Sequence, residues 1–409
     1  MNVQTEIDRI ITAVGTAYDA VEAKGGTAPA AQTIEGLAGA ISGIKSAPAT
    51  PYMAAEYVAL EDADGSTNHY IKSAKLYNHT AIYAYEFSNQ IQLKNLDFSD
   101  ASNNITAVES EAFQYALVNG LVLPNTISVL GIGCFLAAYI TTLTIPPLTT
   151  VLPISAFSQI QPVFNNETGE ELPINIILPQ NLTEIRDSCF DGAQIKQITI
   201  PDTVTEIGEN AFNYCEQLAL ITLPSGLQKI SSRMLAGCLS LTSITIPASV
   251  TEIGSQAFAA SGLTSITIPS TVTTLGSSAF ARCNSLTSMD IQANVTVIPD
   301  DFALECPLTS LILPNTVQTI GGSAFANVQQ LQITELTIPA SVIFIGNNAF
   351  NSNNATQMTL TVLPTTPPTF GRRAFNLATG SVIKVPAASV AAYKAADGWK
   401  DYASYIVAM

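Results

Sequence analysis

Catalysis by side chains needs a nucleophile with a base, a pair of carboxylates, or several convergent metal ligands. The chain of 409 residues is poor in all three. Its two histidines, His69 and His79, stand ten residues apart with no Glu-x-x-His context. They supply neither a zinc site nor a convincing base for a thiol. The six cysteines (Cys134, Cys189, Cys215, Cys238, Cys283 and Cys306) form no Cys-x-x-Cys pair. Cys215, Cys238 and Cys283 follow a recurring Phe, or the Leu235 that replaces it, by three residues, and Cys134 and Cys189 directly precede one. Cysteines in such a register read as small buried hydrophobes with free thiols.

Paired carboxylates are the strongest enzymatic signal. Glu184 and Glu206 share one column of a repeat. Strands about 4.8 Å apart would bring them near the spacing of the carboxylates in a retaining glycosidase. Lys229, Glu252, Thr274 and Thr319 fill the same column, however, which is the composition of a solvated face. Asp300-Asp301 suits a turn. The chain has no phosphate loop of the Gly-x-x-x-x-Gly-Lys type, no dinucleotide fingerprint and no Gly-x-Ser-x-Gly elbow. The expectation is a protein with no catalytic residue, no cofactor and no metal.

The element that positions these residues is an internal repeat. Val204–Phe212 (VTEIGENAF), Val250–Phe258 (VTEIGSQAF) and Val272–Phe280 (VTTLGSSAF) align, as do the Ile-Thr-Ile-Pro runs at 198–201, 244–247 and 266–269. The aromatic recurs at Phe113, Phe135, Phe157, Phe190, Phe212, Phe258, Phe280, Phe302, Phe325, Phe350 and Phe375, with Leu235 in the one gap. That makes twelve units, most of them 22 or 23 residues long. Pro closes the apolar run in eleven units and Gln292 in the twelfth.

Alternation gives the strand. In Ser265-Ile266-Thr267-Ile268-Pro269 the two isoleucines point inward and Thr267 outward, and Pro stops the ladder because it has no N–H. The outward column reads Val122, Thr144, Ile177, Thr199, Thr222, Thr245, Thr267, Asp290, Ile312, Thr337, Val362 and Lys384. The Ala-Phe segment is expected to form a tight or helical turn. The segment Val295–Phe302 looks one residue short, with Cys306 displaced by one as if in compensation. The predicted fold is a β-rich solenoid with about twelve stacked repeats of 22–25 residues and a short N-terminal helical module.

Composition fits a solenoid. Charged residues are 12% of the chain against roughly 25% in ordinary domains. Hydrophobic residues are 47%, which excludes disorder. A net charge of -16 argues against nucleic acid. The longest nearly apolar stretch, Ile127 to Ile140, contains Gly131 and Gly133 and falls short of the roughly 20 residues of a membrane span. The start, Met1-Asn2-Val3-Gln4-Thr5-Glu6, has no signal-peptide pattern.

The repeat V-T-x-I-G-x-x-A-F-x-x-C-x-x-L-x-x-I-T-I-P resembles the BspA-like leucine-rich repeats of bacterial surface proteins and of some phage-encoded proteins. The resemblance implies a β-rich solenoid of the α/β leucine-rich-repeat type over 105–386, serving non-catalytic adhesion or binding. Residues 1–45 form two apolar stripes at helical spacing, from Val3 to Val21 and from Ile34 to Ile44, separated by Gly25-Gly26. This segment resembles the N-termini of tail-associated proteins of phages infecting Gram-positive bacteria. It implies an anchoring or oligomerisation module. Residues 46–104 read as linker and N-terminal cap, and 387–409 as a C-terminal cap sealed by Trp399.

Two functional expectations follow from the resemblances. The first is a phage tail-associated or particle-associated receptor-binding protein on a virion, attached through 1–45. The alternative is a cell-surface adhesin that binds host matrix or other cells. In either case the partner is a surface protein or glycan. Two surfaces are candidates for contact. One is an edge carrying three insertions at the same phase of the unit: Gln161–Glu171 (with Phe164, Asn165, Asn166, Glu167 and Glu170), Asn327–Glu335 (with Gln329 and Gln330) and Asn351–Thr359 (with Asn353 and Asn354). The other is the hydroxyl-rich sheet face of Thr199, Thr222, Thr245, Thr267 and Thr337.

Overall fold

The computed structural model describes residues 51–61, 67–165, 168–330 and 332–409. The chain divides into two units, Met1–Met53 and Ala54–Met409. The expected helices of 1–45 lie outside the described residues.

The second unit is a solenoid of about fourteen stacked turns, against the twelve marked by the aromatic count. Each regular turn has three sides. The first side is the Ile-Thr-Ile-Pro strand. Ser265–Ile268, Ser288–Ile291 and Ser310–Ile312 pair in parallel, with Ile266, Met289 and Leu311 in register and buried. The exposed–buried alternation of Ser265–Ile268 is the period of two read from its sequence.

The second side is also a parallel sheet, made of two-residue strands. Val151–Leu152, Glu184–Ile185 and Glu206–Ile207 form one stretch of it. Lys229–Ile230, Glu252–Ile253 and Thr274–Leu275 form another. A strand of two residues carries too little alternation to be told from a loop in the sequence.

The third side is the Ala-Phe turn. Its backbone donates upward from turn to turn: Phe113 N–H to Cys134 O, Phe190 N–H to Ala211 O and Phe258 N–H to Ala279 O, each at 2.8 Å. To aim those groups, the residues two before and two after the Phe take positive φ. In the turn of Phe212 they are Asn210 (φ 56°) and Tyr214 (φ 51°), and in that of Phe258, Gln256 (φ 57°) and Ala260 (φ 55°). Such angles cost L-residues roughly 1–2 kcal/mol and exclude β-branched side chains. No β-branched residue occupies a positive-φ position in any described turn.

The Phe rings stack through the core. Centroids are 5.1 Å apart for Phe113–Phe135, with planes 1° apart, and the stack continues through Phe157 and Phe190 to Phe212. It begins at Phe87, which stacks 5.3 Å from Phe113, so residues before 105 already form a solenoid turn. At the other end Trp399 packs edge-on against Phe370 at 4.8 Å and donates its indole N–H to Pro368 O at 2.7 Å. Strand Ile406–Ala408 then adds to Val382–Val385 and extends the first sheet past the last Phe.

Two details depart from the sequence expectation. The segment before Phe302 is not a residue short. Phe280 N–H donates to Phe302 O, and Ala303 N–H to Ala324 O. The carbonyl accepting from a Phe normally belongs to the Ala position of the next turn. Phe302 therefore stands in the Ala position and Ala303 in the Phe position. Asp301 (φ 56°) and Glu305 (φ 64°) keep the regular spacing around Ala303. Entering from the neighbouring position, the Phe302 ring meets Phe280 at 75° and Phe325 at 80° instead of stacking. Second, Val362 is buried and Thr361 is the outward residue in register with Thr337 and Lys384. Leu363 adds one residue between that strand and Pro364 and shifts the count from the Pro.

Candidate binding surfaces

The sheet face is built by the outward positions of the first side. Thr199 pairs in register with Thr222, and Thr267 with Asp290, which pairs with Ile312. Thr199, Thr222, Thr245, Thr267 and Thr337 are all exposed. The ladder is not continuous, because Thr245 lies in a segment without assigned strand between Leu220–Thr222 and Ser265–Ile268.

One part of this face is concave. A cleft of about 500 Å³ is lined by Asn175, Ile177, Gln197, Thr199, Leu220 and Thr222, with Gln180 and Asp202 beyond the strand ends. Its floor mixes hydroxyls and amides with two exposed aliphatics, Leu220 at 56% and Ile177 at 45%. Asp202 accepts the Ser225 N–H at 2.8 Å, and its hydrogen bonds from Ser225 hold its carboxyl below the usual range. The cleft therefore presents one firmly ionised carboxylate among neutral donors and acceptors.

Backbone hydrogen bonds tie together the described parts of the insertions. Val163 to Leu172 closes as a hairpin: Asn165 N–H donates to Glu170 O, Leu172 N–H donates to Val163 O, and Phe164 bridges Glu171. Phe164 is 54% exposed and Glu170 is exposed. Asn166 and Glu167 lie outside the described residues. The hairpin returns through Ile174 into the strand Asn175–Ile177, which lines the cleft. The other two insertions pair with each other as parallel strands, Asn327–Gln330 with Ser352–Asn354. Gln329 and Gln330 belong to the first strand, and Asn353 and Asn354 are exposed on the second. The three insertions do not converge on one site, because the turns of Phe190 through Phe302 separate the hairpin from this pair.

Several of the residues weighed for chemistry are engaged elsewhere. Glu184 and Glu206 are register neighbours, as their shared column required. Glu184 accepts from Arg186 Nε at 2.9 Å, and in the same column Lys229 pairs with Glu252 at 2.9 Å. This is a charge ladder across an open sheet. The thiols of Cys215, Cys238, Cys283 and Cys306 donate to the carbonyls of Phe190, Phe212, Phe258 and Phe280 at 3.0–3.2 Å. All six cysteines are buried and free, and burial pushes the Cys238 thiol up to about 12. His79 is buried, with Nε2 2.8 Å from Glu86 Oε1 and Nδ1 2.9 Å from Tyr77 O. No helix among the described residues is long and apolar enough to cross a membrane.

A family model described as BspA type leucine rich repeat region matches in six copies, over residues 67–167, 183–307 and 300–389. A leucine-rich repeat protein from Bacteroides ovatus is similar in structure, at 19% identity and a TM-score of 0.47, covering 87% of this chain and 98% of that one. A leucine rich cell surface protein from Faecalibacterium prausnitzii is 19% identical with a TM-score of 0.40, covering 74% and 94%. The leucine rich repeat protein of T. pallidum is 26% identical with a TM-score of 0.35, covering 47% and 82%. No curated protein matches the chain.

Proposed function

We propose a function from one premise: the chain belongs to the BspA type leucine rich repeat family. It is a non-catalytic binding protein of a bacterial cell surface, and its first sheet recognises a glycan or protein on another surface. The observation that carries the reading is the cleft from Asn175 to Thr222. There an exposed, charge-poor strand face turns concave, with hydroxyls and amides beside two exposed aliphatics. Many weak hydrogen bonds plus apolar contact suit a neutral glycan or a polypeptide. The family favours the cell-surface reading over the particle-associated one, which rests on residues 1–45 alone.

The test is binding of the purified chain to arrays of glycans and matrix proteins, with Thr199→Lys and Thr222→Lys in parallel. Each lysine would put a long charged side chain into the cleft at an exposed position, where stability changes little. Loss of the array signal in both variants supports the reading. An unchanged signal moves the contact to the insertions or elsewhere. By the same reading residues 1–45 supply attachment or self-association. Light scattering on the chain with and without them checks this, and an identical monomer in both samples removes it.

A further inference from the structure

The turn side of the solenoid carries a second cleft, unrelated to the sheet face. Its shape follows from two columns of the repeat. Two residues after the Phe or Leu, consecutive turns present Tyr214, Gly237, Ala260 and Arg282, all at positive φ. One residue after, they present Asn213, Ala236, Ala259 and Ala281. In these two columns the turns of Leu235 and Phe258 therefore contribute no side chain beyond a methyl. They leave a dip of about 410 Å³ closed at its ends by Tyr214 and Arg282. That volume lies in the range of small-molecule sites, about 300–1,000 Å³.

The walls are specific. Tyr214 is 61% exposed, and its ring rests on Gly237. A Cβ at Gly237 would come within 2.6 Å of the ring's Cδ1 and 3.0 Å of its Cε1. The glycine thus lets the ring lie along the floor as a flat platform. Between Lys229 and Arg372 the chain holds two bases, Arg233 and Arg282, and both line this cleft. No carboxylate lines it, in a protein of net charge -16. Arg282 Nε is held by Glu305 Oε2 at 3.1 Å and Arg233 Nε by Gln256 Oε1. Each guanidinium is steadied through Nε, and among the described residues its terminal N–H groups meet no hydrogen-bond partner, which leaves them to a ligand.

We propose that this cleft binds a carboxylate-bearing sugar. Two guanidiniums across a small dip match a carboxylate, which takes paired N–H bonds from arginine. The Tyr214 ring offers a face to the C–H side of a pyranose. Gln256 and Ser278 offer an amide and a hydroxyl to its hydroxyl rim. An acidic peptide fits less well, because an extended chain needs a groove open at its ends.

The experiment is an NMR-monitored titration of the full chain with glucuronic acid and N-acetylneuraminic acid, against glucose and a hexaglutamate peptide. Saturable binding of at least one sugar acid is expected, weakening as NaCl rises, with no saturation by glucose. Arg233→Gln and Tyr214→Ala should each weaken it by about tenfold or more, the scale of one charge-assisted contact. Ala260→Gln, which fills the floor, should abolish it. The matching position two after Phe157 already holds Gln159 at φ 56°, so the turn accepts that residue. Thr274→Lys on the second sheet should leave it unchanged. Failure of both acids to bind, equal binding of glucose or the peptide, or indifference to Arg233→Gln and Ala260→Gln would overturn the proposal.

Discussion

The exchanged positions of Phe302 and Ala303 give a sharp test of how this solenoid is packed. Phe302→Ala alone removes a ring with no exposed surface, and buried Phe→Ala changes cost about 3–5 kcal/mol. Ala303→Phe alone forces a second ring into a filled layer, and overpacking costs about 1–3 kcal/mol. Made together, the two changes restore the Ala-Phe order of Ala279-Phe280 and Ala324-Phe325. The same atoms then fill the same layer. The ring would stand between Phe280 and Phe325 as Phe135 stands between Phe113 and Phe157, at 5.1 and 5.4 Å with planes 1° and 6° apart. Edge-on contacts are exchanged for stacked ones of similar worth, roughly 0.5–1.5 kcal/mol each. The double variant should therefore sit within about 1 kcal/mol of the parent, which implies a coupling of at least about 3 kcal/mol between neighbouring residues. Urea unfolding of all four proteins, followed by circular dichroism, measures it. A double variant no more stable than Phe302→Ala would refute the assignment of Phe302 to the Ala position.

Three further outcomes are expected. Arg373, exposed at φ 54°, should tolerate Gly with a gain of up to about 1 kcal/mol, because strain is relieved, and Val should cost about 1–2 kcal/mol; thermal melts rank the three proteins. Ellman's reagent should find essentially no reactive thiol in the folded protein and six after denaturation, because all six are buried and burial raises Cys238 to about 12. A fast-reacting thiol in the native state would contradict the packing. The single Trp, Trp399, should emit in the blue as a fully buried indole, and Tyr393→Phe should move that emission red as the cap loosens, since its hydroxyl donates to Pro364 O at 2.8 Å.

The sequence discloses most of what repeats and little of what varies from turn to turn. The Phe and Pro columns and the inward isoleucines are readable because each recurs many times at one spacing. The second sheet was hidden because strands such as Glu184–Ile185 are two residues long. The turn of Phe87 was hidden because Phe113 follows it by 26 residues and Phe98, not Pro, follows its strand Asn95–Asp97. The exchange at Phe302 looked like a deletion because counting from the ring, without the backbone register, cannot separate the two. The positive-φ positions did leave a trace, the absence of β-branched residues, but an absence is found only once the column is known. The cleft between Tyr214 and Arg282 was out of reach for a different reason. It is made by missing side chains at Gly237 and Ala260, on separate turns, and needs the lateral register of four turns at once. The sheet-face threonines were legible as a column, but the concavity around Thr199 and Thr222 was not.

The central claim is that this solenoid binds through the concave part of its first sheet. It is tested most directly by the affinity of the chain for whichever array ligand it captures, compared across Thr222→Lys and Thr274→Lys. Both substitutions add the same charge at an exposed threonine, one in the cleft and the other in the second sheet. Thr222→Lys should bind at least about tenfold more weakly, the scale of one lost buried contact, and Thr274→Lys should keep the parental affinity. Equal affinities for the two variants, or a loss confined to Thr274→Lys, would contradict it.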